Sequence, residues 1–161
     1  MPQIKLRFVT CADPVSFMIR AQTDCAYSHV EFMLDDEWPV HVASPRTLTL
    51  GAHIDGGVKL RPFDYDKFSA VEYATVECTA EQKQAATASA VACIGSPYDV
   101  TDIAGLLFHQ NWAEKGHWIC SVFVAEKLIN AGINILRVAP QIAPSITPRD
   151  VYLSPLLTKE Q

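Results

Sequence analysis

Alternating apolar and polar residues predict β-strands in the first half of the chain. In the segment 4–9, Ile4, Leu6 and Phe8 occupy every second position, which is the period of a half-buried strand. The segment 28–34 alternates in the same way. Further strands are predicted at 40–44, at 58–61 after the pair Gly56-Gly57, and at 71–78, which is rich in strand-forming residues.

Helical signals are concentrated in the second half. One early helix is predicted from Asp13-Pro14, a cap followed by a proline at the first helical position, to about Arg20. The capping-box pattern Thr79-x-x-Gln82 begins an alanine-rich helix that ends before Gly95. Further helical segments are predicted at 101–113 and 120–131, with a final turn opening at Thr147-Pro148. Strands first and helices later, with local antiparallel pairing, predict an α+β domain.

Length and composition narrow the class of protein. The 161 residues are predicted to form a single domain, 1–161. Because 49% of the residues are apolar and only 19% are charged, the chain is not of the disordered class. With 13 basic and 18 acidic residues the net charge is −5, so no nucleic-acid partner is expected.

The chain shows no targeting or membrane signal. No apolar run approaches the ~18–20 residues of a membrane span, and the N-terminal segment lacks the apolar stretch of a signal peptide. We therefore expect no transmembrane segment and a cytoplasmic location. The acidic single domain fits a monomer and a small homo-oligomer equally well.

The five cysteines do not suggest a disulfide framework. Their number is odd and no two have the C-x-x-C spacing, so a cysteine-rich zinc site is also a poor interpretation. No cofactor and no metal are expected, and a zinc site of His29, His41 and Cys120 is the less favoured alternative. At least one cysteine therefore has a free thiol, and the function of that thiol has to be explained.

Cys120 is the candidate nucleophile. It lies at the predicted start of an amphipathic helix, where unpaired backbone N–H groups and the helix dipole favour a thiolate. The alternative is an ordinary buried cysteine. Cys25 is a rival candidate, but the residues after it lead into a strand and not into a helix.

His29 is the candidate base, because cysteine catalysis needs an imidazole and a polar group that orients it. It shares one face of the predicted strand 28–34 with Glu31, so that face is either solvent-exposed or the floor of a cleft. His41 follows 12 residues after His29, across the turn signal Asp35-Asp36, and a hairpin would place it beside His29. We favour His41 over Glu31 as the orienting group, and both remain candidates.

Six segments together resemble a known family. They are YSHVEFML (27–34), VHVAS (40–44), GGVKL (56–60), GSPYD (95–99), WICSVFVAEKL (118–128) and ITPRDVYLSP (146–155). In this order they are similar to the circularly permuted NlpC-type papain-like cysteine hydrolases, the YiiX/YebB-like group, in which the histidine strand precedes the cysteine helix. The resemblance covers about residues 4–155. It implies a permuted papain-like fold, an antiparallel sheet packed against helices with the cysteine at a helix N-terminus.

The resemblance also implies roles for single residues. Cys120 matches the nucleophile, His29 the general base and His41 the third polar position. The His-x₁₁-His spacing is similar to that of the lecithin–retinol acyltransferase-like hydrolases, whereas Glu31 matches the S-H-x-E form of YebB-like members. The oxyanion would be stabilised by the backbone N–H of Cys120, with Tyr27 as a second candidate donor. Tyr98 and Asp99 match a family motif and are expected to line the cleft or, for Asp99, to cap the following helix.

The expected activity is hydrolysis of an amide bond in a peptide, such as a peptidoglycan stem peptide. A wall substrate without an export signal fits a phage-encoded enzyme that is released by lysis. The alternatives are a thioesterase or an acyltransferase acting on acyl-lipids, and a non-catalytic binding module with the same fold.

Overall fold

The computed structural model describes residues 1–99, 119–136 and 146–160. These form a six-stranded antiparallel sheet and four α-helices, the α+β class that the sequence predicts. The elements are β1 (Gln3–Cys11), α1 (Pro14–Thr23), β2 (His29–Met33), β3 (Leu48–His53), β4 (Gly57–Pro62), β5 (Phe68–Glu77), α2 (Ala80–Val91), α3 (Cys120–Asn130), α4 (Pro148–Tyr152) and β6 (Leu157–Lys159). The strand order is β4-β3-β2-β1-β5-β6. The helix predicted at 101–113 lies outside the described residues.

Local sequence signals account for the helix starts. The carboxylate of Asp13 accepts a hydrogen bond from the backbone N–H of Ser16 at 2.9 Å and caps α1. Both halves of the predicted capping box at Thr79 and Gln82 are formed at the start of α2. A second capping box, between Thr147 and Asp150, begins α4.

The core lies between the sheet and the helices α2 and α3. Leu6, Phe8 and Val30 are almost fully buried, and Phe32 packs edge-on against Phe123 of α3 with ring centroids 5.9 Å apart. The alternation in β1 and β2 therefore places these residues in the core, while the side chains of the intervening positions lie on the other face of the sheet. That second face carries the polar residues described below.

The strand predicted at 40–44 does not form, and this corrects the expected hairpin. Pro39 and Pro45 flank the segment, and proline has no N–H to donate to a strand ladder. The chain instead runs irregularly from Leu34 to a short 3₁₀ turn at Pro45–Thr47 before β3 begins. Trp38 anchors this segment against Phe32, with ring centroids 5.5 Å apart. The partner of β2 is therefore β3.

None of the described helices is long and apolar enough to span a membrane.

Candidate active site

Cys120 is the first residue of α3. The N-cap residue, Ile119, is extended and makes no side-chain cap, so no side chain competes for the backbone N–H groups of the first turn. Cys120 is 5% exposed, and the backbone N–H groups of Val30 and Ser121 approach its thiol. The hydroxyl of Ser121 donates to the carbonyl of Ile146 at 2.7 Å and fixes this end of the helix.

His29, the first residue of β2, lies within hydrogen-bonding reach of the Cys120 thiol, where the N-terminus of α3 approaches the start of β2. Burial raises the pKa of Cys120, but the charge and hydrogen bond of His29 outweigh it and lower that pKa below its usual value. Burial likewise lowers the pKa of His29, whereas Cys120 and Glu31 raise it to about 10. The pair therefore favours a thiolate beside an imidazolium.

Glu31 faces Nε2 of the His29 ring. Its carboxylate is 0% exposed, and Oε2 lies 3.6 Å from Nε2 of His29. Burial alone would raise the pKa of Glu31, but His29 and Arg7 lower it to about 2. The face that carries His29 and Glu31 is thus the floor of a buried polar site and not a solvent-exposed surface.

Arg7 holds Glu31 in place. Its Nε and Nη2 donate to Oε1 of Glu31 at 2.9 and 2.6 Å, and its Nη1 donates to the carbonyl of Phe63 at 2.7 Å. The guanidinium also lies over the rings of Phe63 and Phe68, 5.2 and 5.0 Å from their centroids. The loop before β5 therefore seals Arg7 away from solvent and leaves Oε2 of Glu31 free to face His29.

His53 is the site residue that the sequence analysis did not identify. It ends β3, and its ring lies beside that of His29 with centroids 4.9 Å apart and a 35° tilt. Its Nε2 lies 3.7 Å from Oε2 of Glu31. Burial and the neighbouring His29 lower the pKa of His53 to about 3, so the ring is neutral. The alternation of polar and apolar residues in 48–53 indicates the strand that carries His53, but not its neighbours in the site.

The strand registers explain why these side chains meet. Arg7 pairs with Glu31 and Val9 pairs with His29 across β1 and β2. The β2–β3 register pairs Phe32 with Leu50 and Met33 with Thr49, and farther along β3 Gly51 lies beside Glu31 and His53 beside His29. Residues two apart on one strand lie on the same face of the sheet. The side chains from β1, β2 and β3 that form the site therefore lie side by side on one face.

Gly51 provides space that the site requires. A Cβ atom at this position would lie 3.0 Å from Cβ of Glu31 and 3.3 Å from Nε2 of His53. We expect Gly51→Ala to lower the free energy of unfolding by about 1–3 kcal/mol, because the buried neighbours must move. Urea unfolding with an unchanged slope would measure it, and a variant as stable as the natural chain would contradict the tight packing.

The other predicted site residues lie elsewhere. His41 is exposed in the irregular segment before β3, so the hairpin geometry that favoured it is wrong, and Glu31 faces His29 instead. The hydroxyl of Tyr27 donates to Glu72 at 2.6 Å and is therefore not free to serve an oxyanion. Asp99 is buried, and the helix it was expected to cap lies outside the described residues. Cys25 is partly buried against the core, at the start of the loop between α1 and β2.

A pocket of about 280 Å³ opens beside the two histidines. Its walls come from α1, from the ends of β1 and β3, and from the loop before β5. Among its lining residues are Thr10, Ser28, His29, His53, Tyr65 and Tyr98. A substrate in this pocket would reach the imidazole of His29.

The comparisons with known proteins give a fold and no family assignment. No family model matches the chain, and no curated protein matches it. Among solved structures it is similar to the crystal structure of metalloprotein yiiX from Escherichia coli O157:H7, with a TM-score of 0.68 and 20% sequence identity. The match covers 99% of this chain and 96% of that chain. The chain therefore has a YiiX-like fold.

Proposed function

We propose that this protein is a cysteine hydrolase in which Cys120 is the nucleophile, His29 the general base and Glu31 the group that orients His29. The observation that carries the proposal is the contact between the Cys120 thiol, at the N-terminus of α3, and the His29 imidazole on β2. A nucleophile, a base and a buried orienting group in series are the arrangement that this chemistry needs.

The geometry supports a definite sequence of steps. Nε2 of His29 faces Glu31, so Nδ1 is the ring nitrogen left to take the proton of Cys120. The thiolate attacks the acyl carbonyl, and the backbone N–H of Cys120 at the helix start is the proposed donor to the oxyanion. The tetrahedral adduct collapses to a thioester, and the leaving amine or alcohol takes the proton from His29. His29 then removes a proton from water, which attacks the thioester and releases the acid.

Glu31 is proposed as the third group in preference to His41. It is fully buried, it is fixed through Oε1 by Arg7, and its Oε2 lies nearest to Nε2 of His29. A carboxylate in this position stabilises the imidazolium that forms during the reaction. His41 is exposed and lies outside the sheet, so it offers His29 no comparable support.

The proposed substrate is an amide bond in a peptide, with a peptidoglycan stem peptide as the leading example from the family resemblance. A thioesterase or acyltransferase acting on acyl-lipids is the second candidate, because the same thiolate attacks esters and thioesters.

The experiment is a screen of peptidoglycan fragments, acyl-lipids and acyl-thioesters, with Cys120→Ala as the control. A non-catalytic binding module would release no product from any of them. A cytoplasmic location, or release of a phage-encoded enzyme by lysis, remains part of the proposal.

Alkylation tests the state of the Cys120 thiol. At neutral pH with EDTA, low concentrations of iodoacetamide should modify Cys120 before the other four cysteines. We expect this order although Cys120 and Cys78 are the two buried cysteines. The reason is that His29 stabilises its thiolate, whereas burial raises the pKa of Cys11 to about 11. Peptide mass spectrometry over time gives the order.

The matched variant for this experiment is His29→Gln, which should remove the preference for Cys120 while the other four rates stay the same. Faster modification of Cys25, or an unchanged rate at Cys120 in His29→Gln, would show that His29 does not activate the thiol.

The solved structure with the same fold is that of a metalloprotein. In the described part of this chain, the group that could hold a cation is His29, Glu31 and His53. Metal binding and catalysis through Cys120 would therefore use some of the same side chains.

A further inference from the structure

We propose that His29, Glu31 and His53 form a binding site for one divalent transition-metal ion of the zinc class. Nε2 of His29, Oε2 of Glu31 and Nε2 of His53 are buried atoms without a hydrogen-bond partner among the described residues. The ligand atoms of these three residues all lie within 4.8 Å of one another. Buried polar atoms are nearly always paired, so three neighbouring atoms without partners indicate a missing binding partner.

The distances suit a shared cation better than direct hydrogen bonds. Oε2 of Glu31 lies 3.6 Å from Nε2 of His29 and 3.7 Å from Nε2 of His53. A direct N–H···O hydrogen bond would bring such atoms to roughly 2.7–3.2 Å. Tetrahedral zinc, with bonds of about 2.0–2.2 Å, separates its ligand atoms by about 3.4 Å. A small closure of the three side chains would complete such a site.

The surroundings hold the three ligands in place. Arg7 binds Oε1 of Glu31 through two N–H groups and thereby turns Oε2 toward the histidines. Such an outer hydrogen bond to a ligating carboxylate is typical of metal sites. Gly51 leaves open the space beside the ligand atoms, where a Cβ would lie 3.3 Å from Nε2 of His53 and 3.5 Å from Nε2 of His29.

The donor set selects the class of metal. Two imidazoles and one carboxylate suit zinc and related transition metals, whereas magnesium and calcium prefer oxygen ligands. Three protein ligands leave a fourth coordination position open, as in catalytic zinc sites. The pocket beside His29 and His53 gives water or a small ligand access to that position.

Metal binding has a consequence for the hydrolase, and this consequence rests on the proposed function. An imidazole that binds the metal through Nε2 keeps its proton on Nδ1 and cannot accept the proton of Cys120. The metal-bound protein should therefore be an inactive form of the cysteine hydrolase.

Direct binding tests the site without any substrate. The full chain is treated with EDTA, exchanged into clean buffer and titrated with Zn²⁺ in a calorimeter, and Co²⁺ serves as a visible-absorption probe. We expect one equivalent of Zn²⁺ and at least tenfold weaker binding in His53→Gln. His41→Gln, which changes an exposed histidine, is the matched control and should bind as the natural chain does.

Absence of stoichiometric binding would overturn the proposed site, as would binding that is unchanged in His53→Gln. In the hydrolase assay, Zn²⁺ at the concentration that fills the site should abolish turnover, and EDTA should restore it. Full turnover with the site filled would overturn the inhibitory role alone. Zinc binding without any hydrolysis would count against the proposed function and leave the metal site standing.

Discussion

Cys120→Ala and His29→Gln should each lower kcat/KM by roughly 10³-fold or more for any acyl substrate that the protein turns over. Cys120 supplies a sulfur within reach of His29, and His29 is the base in contact with it. Residues that act as one catalytic unit lose most of the rate when either is removed, so the double variant should be scarcely slower than each single variant. Initial rates on the best substrate from the screen, with EDTA present, provide the measurement.

The same assay decides between the two candidates for the third group. Glu31→Gln should lose roughly tenfold or more in kcat/KM, because the neutral amide stabilises the imidazolium less well. His41→Gln should retain the natural rate, since His41 is exposed and lies outside the site. Circular dichroism on each variant separates a lost rate from a lost fold. A larger loss in His41→Gln than in Glu31→Gln would assign the third role to His41.

Arg7→Met should destabilise the fold by about 3–5 kcal/mol, because it leaves the buried carboxylate of Glu31 without its counter-charge. The side chains of Arg7 and Glu31 are 2% and 0% exposed, so water cannot replace the lost partner. The variant also loses the hydrogen bond from Arg7 to the carbonyl of Phe63. Urea unfolding followed by circular dichroism gives the free-energy difference.

The chain offers two matched controls for this measurement. Arg46 pairs with Asp36 at the surface, where the side chains are 74% and 58% exposed, so Arg46→Met should change stability little. The double variant Arg7→Met with Glu31→Gln should be more stable than Arg7→Met alone, because it removes the unpaired charge. Equal losses for Arg7→Met and Arg46→Met would mean that the buried pair does not stabilise the fold as argued.

The sequence was sufficient for the elements whose signals are local. Period-two alternation located β1 and β2, and the caps at Asp13 and Thr79 located the starts of α1 and α2. The start of α3 at Cys120 also followed from an apolar stripe. Each of these signals depends on residues only a few positions apart, and tertiary packing did not override them.

What the sequence could not provide depended on pairing between distant segments. The strand β3 was missed because a turn signal at Asp35-Asp36 suggested an immediate hairpin, whereas Pro39 and Pro45 prevent one. Without β3 in place, His53 had no neighbour and no reason to be singled out. Likewise Arg7 reads as a solvent-facing residue of β1, and only the loop that carries Phe63 buries it.

In the proposed mechanism, Cys120 forms a covalent acyl-enzyme with the help of His29. The most direct measurement is peptide mass spectrometry after brief exposure of the EDTA-treated protein to p-nitrophenyl acetate and acid quenching. We expect one acetyl group on the peptide that contains Cys120, and its absence from the same peptide of His29→Gln. Acetylation confined to another residue would show that Cys120 is not the nucleophile, and unchanged acetylation of Cys120 in His29→Gln would show that His29 does not activate it.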